Sequence, residues 1–124
     1  MAAPNIVNVA TITAKTDSVA LSSTGGISVL SNASNSGIVM QVVALYAANV
    51  DGTNNSDITI TVHNEPNGAG TGFALAKTVV VPADATVVII DKNSPIFLEE
   101  AMSIKATPSV ADDLEITVSY QELS

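Results

Sequence analysis

Alternation is the plainest signal along this chain. Ile58, Ile60 and Val62 are interleaved with Thr59, Thr61 and His63. Apolar residues at period two mark a half-buried strand. Leu114, Ile116, Val118 and Tyr120 alternate in the same way with Glu115, Thr117, Ser119 and Gln121. Elsewhere short apolar segments are separated by clusters of Gly, Asn, Asp, Ser and Pro, the punctuation of turns. The pattern predicts an extended opening segment over 5–13 and a short strand at 18–22. Further strands are predicted at 27–31, 38–49, 58–63, 73–81, 86–91, 102–107 and 114–121. Ile96, Phe97 and Leu98 lead into a turn at Glu99-Glu100. No segment carries a helical period. The expected fold is all-β: an antiparallel β-sandwich, jelly-roll-like, with eight to nine short strands and no significant helix. No linker divides the chain, so residues 1–124 are expected to form a single β-sandwich domain with an extended N-terminal segment over about 1–15.

Three runs break the alternation: Val42-Val43-Ala44-Leu45, Val79-Val80-Val81 and Val87-Val88-Ile89-Ile90. A two-sheet sandwich covers one face of each sheet, so strands apolar on both faces need a second cover. A loop, the N-terminal segment or another subunit could supply it, and another subunit is the expectation. Exposed Val and Ile strips would otherwise invite edge pairing and aggregation. The candidate assembly surface comprises Asn5, Ile6, Val7, Val9 and Ile12 of the opening segment, with Val79, Val81, Val88 and Ile90 of the strips. The expected partner is the chain itself, as a homo-oligomer with a trimer favoured. The opening strand could add to a neighbour's sheet.

Composition narrows the field. Val, Ile and Thr supply 39 of 124 residues, against two Tyr, two Phe and no Trp. β-Branched enrichment suits pleated sheet, while a core poor in aromatics is thin, a further pointer to support from partners. Twelve acidic residues face four basic ones, all lysine, for a net charge of −8. That balance argues against a nucleic-acid binder, which needs a basic face, and against docking on an anionic membrane. Cysteine is absent and histidine occurs once. A disulfide framework, a thiolate metal site and a His-rich zinc site are therefore excluded. No apolar run is long enough to span a bilayer as a helix. Met1-Ala2-Ala3-Pro4-Asn5 lacks the features of a secretory signal, so export is not expected.

The candidate chemistry is sparse. His63 lies opposite the apolar face of its strand and is expected to be exposed, with no nucleophile elbow nearby in sequence. The loop Asp51–Asp57 offers oxygen ligands but misses the calcium-loop pattern, and its Asp and Asn residues suit ordinary turns. Glu99-Glu100 and Asp112-Asp113-Glu115 could suggest paired catalytic carboxylates. Sugar hydrolysis, however, needs aromatic platforms that this chain lacks. The sequons at Asn32 and Asn54 carry little weight without a signal sequence. No phosphate-binding loop or dinucleotide fingerprint occurs. The expectation is no catalytic residue, no cofactor, no metal and no enzyme.

Several segments taken in order carry a resemblance. They are Asn49-Val50-Asp51-Gly52-Thr53-Asn54, Asp57-Ile58-Thr59-Ile60, Val81-Pro82-Ala83-Asp84-Ala85-Thr86, Ile96-Phe97-Leu98-Glu99-Glu100 and Asp113-Leu114-Glu115-Ile116-Thr117-Val118-Ser119-Tyr120. Together they resemble small all-β virion structural proteins of tailed bacteriophages, especially those of marine cyanobacteria. The likeness covers most of 37–124 and fits 1–15. It departs at Ala101, where such turns carry Gly or a polar residue, and in the Gly-rich stretch 66–72. The resemblance implies a particle component, head decoration or cement first, with neck, tail or fibre as the alternative. It implies a virion location after assembly in the host cytoplasm, with the major capsid protein or other virion proteins as partners. A carbohydrate- or cell-surface-binding β module is a further alternative, which the four aromatics serve poorly.

Overall fold

The computed structural model describes Asn5 and residues 7–124. Among these residues nine strands form: β1 (Ile12–Ala20), β2 (Ile27–Asn32), β3 (Val39–Asn49), β4 (Ser56–His63), β5 (Gly72–Val81), β6 (Thr86–Ile90), β7 (Ile96–Leu98), β8 (Met102–Pro108) and β9 (Leu114–Leu123). A single 3-10 turn at Pro66–Gly68 is the one helical element among them. The strands make two antiparallel sheets. Sheet A has the order β1-β9-β3-β6, with β7 pairing β3 beyond the end of β6, and sheet B has the order β2-β8-β4-β5. The pairing is nested: β1 with β9, β2 with β8, β3 with β6 and β7, β4 with β5. The all-β sandwich expected from the alternation is the fold.

The N-terminal boundary differs from the expectation. One strand, Ile12–Ala20, replaces the extended stretch over 5–13 and the short strand at 18–22. Residues 12–15 are therefore part of a sheet. Every residue of β1 is exposed except half-buried Val19. An edge strand open on both faces has no buried side to impose alternation, so its polar sequence hides it.

The core lies between the inner faces of the sheets. Sheet A contributes Val42, Leu45 and Ala47 of β3, Ile116 and Val118 of β9, and Leu98 of β7. Sheet B contributes Ile58 and Ile60 of β4, Val81 of β5, and Ile104 and Ala106 of β8. These side chains are at most 1 % exposed, and burying each large aliphatic one contributes about 1.5–3 kcal/mol. Aromatic bulk is almost absent, since Tyr120 is the one aromatic residue in the cluster.

Bulges explain two of the doubly apolar runs. On β3, Val42 pairs Tyr120 and Ala44 pairs Ser119, so Val43 has no partner on β9. On β6, Ile90 pairs Leu45 and Val88 pairs Tyr46, so Ile89 has no partner on β3. Each bulge inserts one residue and resets the alternation. The doublets Val42-Val43 and Ile89-Ile90 thus mark a phase change, not a strand buried on both sides.

Two buried asparagines tie the ends of the sandwich. Asn32, at the end of β2, donates to the carbonyls of Ile38 (2.8 Å) and Leu98 (3.1 Å) and accepts from the Ser36 hydroxyl (2.6 Å). Asn49, at the end of β3, donates to the carbonyls of Asn54 and Val81 (2.9 Å each) and accepts from the Asp51 N–H (2.9 Å). Each links a loop to both sheets. The turns use residues that tolerate a left-handed backbone, with positive φ at Asn35, Asn67, Asp84 and Asp112. Thr78 (φ 47°) and Ala101 (φ 64°) adopt it without that tolerance.

Candidate functional site

The outer face of sheet A is a broad surface nearly free of charge. Its cross-strand rows run Ala20, Glu115, Ala48, Thr86; then Ser18, Thr117, Tyr46, Val88; then Thr16, Ser119, Ala44; then Ala14, Gln121, Gln41, Phe97; and last Ile12, Leu123, Val39. Glu115 is the sole charged residue along these rows. The middle is laced by hydroxyls, with Ser18 and Thr117 oxygens 3.0 Å apart and Thr16 donating to Ser119 at 3.3 Å. Tyr46, Val88 and Phe97 stand exposed toward one side, and Ile12 toward the other. Phe97 is held by the short β7 pairing, and Val88 lies directly opposite Tyr46.

The expected assembly residues do not converge on one surface. Val88 is 52 % exposed on this face, and Ile12 is 60 % exposed at its margin. Asn5 is exposed and its side-chain oxygen accepts the Val7 N–H at 3.0 Å. Val7 is exposed and Val9 half-buried; Ile6 lies outside the described residues. Val79 and Val81 belong to sheet B. Val79 packs half-buried against the core, and Val81 is fully enclosed. Ile90 is also enclosed, at 3 % exposure. For Val81 and Ile90 the expectation of an assembly surface is corrected: the opposite sheet already covers their side chains. Val80 is the exposed member of its run. Tyr46 and Phe97 escaped the sequence reading. The bulge at Val43 scrambles the phase that would have placed Tyr46 outward, and β7 is too short to show any period.

His63 is also corrected. It sits on the outer side of sheet B but is buried, because residues 69–72 fold over its ring. A Cβ added at Gly72 would stand 2.6 Å from the His63 Cε1. One ring nitrogen, Nε2, lies 2.8 Å from the Thr61 hydroxyl, and Nδ1 lies 3.2 Å from the Ala69 carbonyl. A carbonyl cannot donate, so Nδ1 donates to Ala69, while Nε2 pairs with the Thr61 hydroxyl, which also lies 3.5 Å from the Lys105 carbonyl. These contacts tie the Gly-rich loop to β4. No pocket opens beside the pair among the described residues.

The acidic candidates separate. Glu99-Glu100 and Asp112-Asp113 lie at opposite ends of β8, and Glu100 accepts the Gly37 N–H at 3.2 Å. In the 51–57 loop the Asp51 carboxylate accepts from the Thr53 N–H (2.8 Å), the Asn54 N–H and the Asn54 side chain (3.2 Å each). The Thr53 bond, then those from Asn54, hold its pKa below the ordinary value. This is the local bonding of an Asx turn. Among the described residues no group of three His, Asp or Glu side chains is placed to hold a metal ion.

A scan against protein-family models finds no match, and a search of curated proteins finds no relative. Function must therefore be inferred from the molecule's own surfaces.

Proposed function

We propose that the chain is a structural component of a tailed-phage virion, and specifically a capsid decoration or cement protein acting through sandwich-to-sandwich contacts. The observation that carries the proposal is the outer face of sheet A. On a chain of net charge −8, that face is nearly free of charge while exposing Tyr46, Val88 and Phe97. Copies so acidic repel one another in general, and burying an unpaired carboxylate at a contact is costly. Depletion of charge with retained aromatics is the composition of an interface centre. The phage-like strand and turn segments of the sequence supply the virion context. Self-association through this face, with a trimer favoured, and docking on the major capsid protein or other virion proteins are the modes of assembly we envisage.

The nested strand pairing supports a finer description of the fold. With β6 and β7 sharing one edge of β3, first strand pairs last, second pairs second-last, and so inward. That winding supports the reading of a jelly roll, an architecture frequent in capsid domains, although fold alone does not assign function.

Two measurements test the proposal. Quantitative mass spectrometry of purified particles from a phage encoding this chain should find hundreds of copies per particle. Tens of copies would move the chain to the neck, tail or fibre, and absence would refute the virion assignment. In solution, light scattering across a concentration series should show a discrete oligomer that Val88→Asp dissociates. Because Val88 is half-exposed, thermal stability should change by less than about 1 kcal/mol. A Val88→Asp protein that merely misfolds would show that the face is not the assembly surface.

A further inference from the structure

The free edge of β1 is a second, independent surface. Among the described residues no strand pairs its outer side. Long open edges of this kind are templates for pairing with another chain. The β1–β9 ladder runs without a register shift from Ile12↔Leu123 to Ala20↔Glu115. Just before it, Thr11 and Ser124 exchange both backbone hydrogen bonds (2.9 and 3.0 Å), and just after it the Leu21 N–H donates to the Leu114 carbonyl (2.9 Å). Odd-numbered residues therefore bond β9. The N–H and C=O groups of Ile12, Ala14, Thr16, Ser18 and Ala20 point to the empty side.

We propose that two copies of this chain pair antiparallel along β1, centred on Thr16, and extend sheet A across a twofold axis. Three features select this arrangement. A one-residue slip sets outward-facing groups against inward-facing ones and breaks the ladder. Pairing the strand over its full length, Ile12–Ala20, requires Ile12 opposite Ala20 of the second copy, which places Thr16 on the axis. That same register sets Lys15 of each copy opposite Asp17 of the other, at a non-hydrogen-bonded position where side chains approach most closely. A two-residue slip either way would oppose Lys15 to Lys15 or Asp17 to Asp17. Charges on an edge ordinarily repel newcomers, but this pair is of opposite sign and symmetric about the strand's midpoint, so it complements itself.

Both side chains are already positioned. Lys15 bonds Glu122 at 3.0 Å, and Asp17 accepts the Tyr120 hydroxyl at 2.9 Å. Less freedom is then lost on pairing. The outward side chains fit as well, with Thr16 meeting Thr16 and Ala14 meeting Ser18. The contact is narrower than a standard interface, so the dimer is concentration-dependent. It uses neither Tyr46, Val88 nor Phe97, and it stands whether or not the virion proposal does.

The chain has no native cysteine, so site-directed cross-linking reads the register directly. Under mild oxidation Thr16→Cys should form a covalent dimer much faster than Val110→Cys, an exposed control in the β8–β9 turn. Ala14→Cys and Ser18→Cys should cross-link when mixed and not when alone. Adding Lys15→Asp should weaken pairing about tenfold, and adding Asp17→Lys to that variant should restore it. Thr16→Pro should abolish the dimer of the otherwise native chain while leaving circular dichroism unchanged, because the lost N–H faces away from β9. Cross-linking of Thr16→Cys no faster than the control would overturn the proposal. So would preferential cross-linking of position 14 to 16, or indifference to Lys15→Asp.

Discussion

Asn49 offers the sharpest test of how this sandwich is held at its ends. Its side chain is 3 % exposed and makes three hydrogen bonds, to the Asn54 and Val81 carbonyls and from the Asp51 N–H. Asn49→Ala deletes all three partners. Each bond is worth about 1 kcal/mol net, and a buried group left unpaired costs about 1–3 kcal/mol. The Val81 carbonyl is enclosed, whereas the loop groups at 51 and 54 can recover water. The expected loss is about 3–4 kcal/mol, against a total of roughly 6–18 kcal/mol for a chain of this length. At about 0.26 kcal/mol per kelvin, the melting temperature should fall by roughly 12–15 °C. Thermal unfolding followed by circular dichroism reads this directly.

The isosteric Asn49→Asp separates hydrogen bonding from packing. It keeps the volume and the acceptor but replaces the donor with an oxygen aimed at two carbonyls. Burial and those carbonyls raise the folded-state pKa of the introduced carboxyl. The penalty should therefore be small below the unfolded value of about 3.9, grow as pH rises through that point, and level off above the folded-state value. A fall of less than about 4 °C for Asn49→Ala, or a pH-independent Asn49→Asp, would refute the view of Asn49 as a hydrogen-bonding clamp.

Three other outcomes are expected. Gly72→Ala should destabilise by about 1–3 kcal/mol through overpacking, because its Cβ would meet the His63 ring at 2.6 Å; coupling to His63→Ala in a double-mutant cycle checks that cause. Ala101→Gly should raise stability by about 1 kcal/mol in denaturant titrations, since φ is 64° there and an alanine Cβ resists that conformation. Burial, with the bond to Asp17 and the charges of Asp17 and Glu122, raises Tyr120 to about 12. The resulting stability is fully present below about pH 10 and is lost as pH rises to about 12, so alkaline unfolding should set in later for Tyr120→Phe, with ultraviolet titration in a Tyr46→Phe background following the phenol itself.

What the sequence revealed and what it concealed both follow from burial. Alternation in β4 and β9 was legible because each strand has one face on the core and one turned away. In β3 and β6 a bulge inserts a residue, and the chain spells that as an apolar doublet. Val42-Val43 and Ile89-Ile90 therefore look like strands buried on both sides, when each lies at a bulge that shifts the phase of the strand. Within the three apolar runs only Val80 and Val88 stand exposed, fewer than strands in need of a second cover would show. His63 was misplaced for a different reason. Period two gives the side of the sheet but not what lies over it, and the Gly-rich loop returns across that side. The edge strand β1 is half hidden because the core touches it only at Val19. Its information is of another kind: opposite charges at 15 and 17, symmetric about Thr16, bond only the neighbouring β9 within one chain yet single out one register between two. The polar residues that made β1 hard to read as part of a fold are the ones that make it readable as a contact.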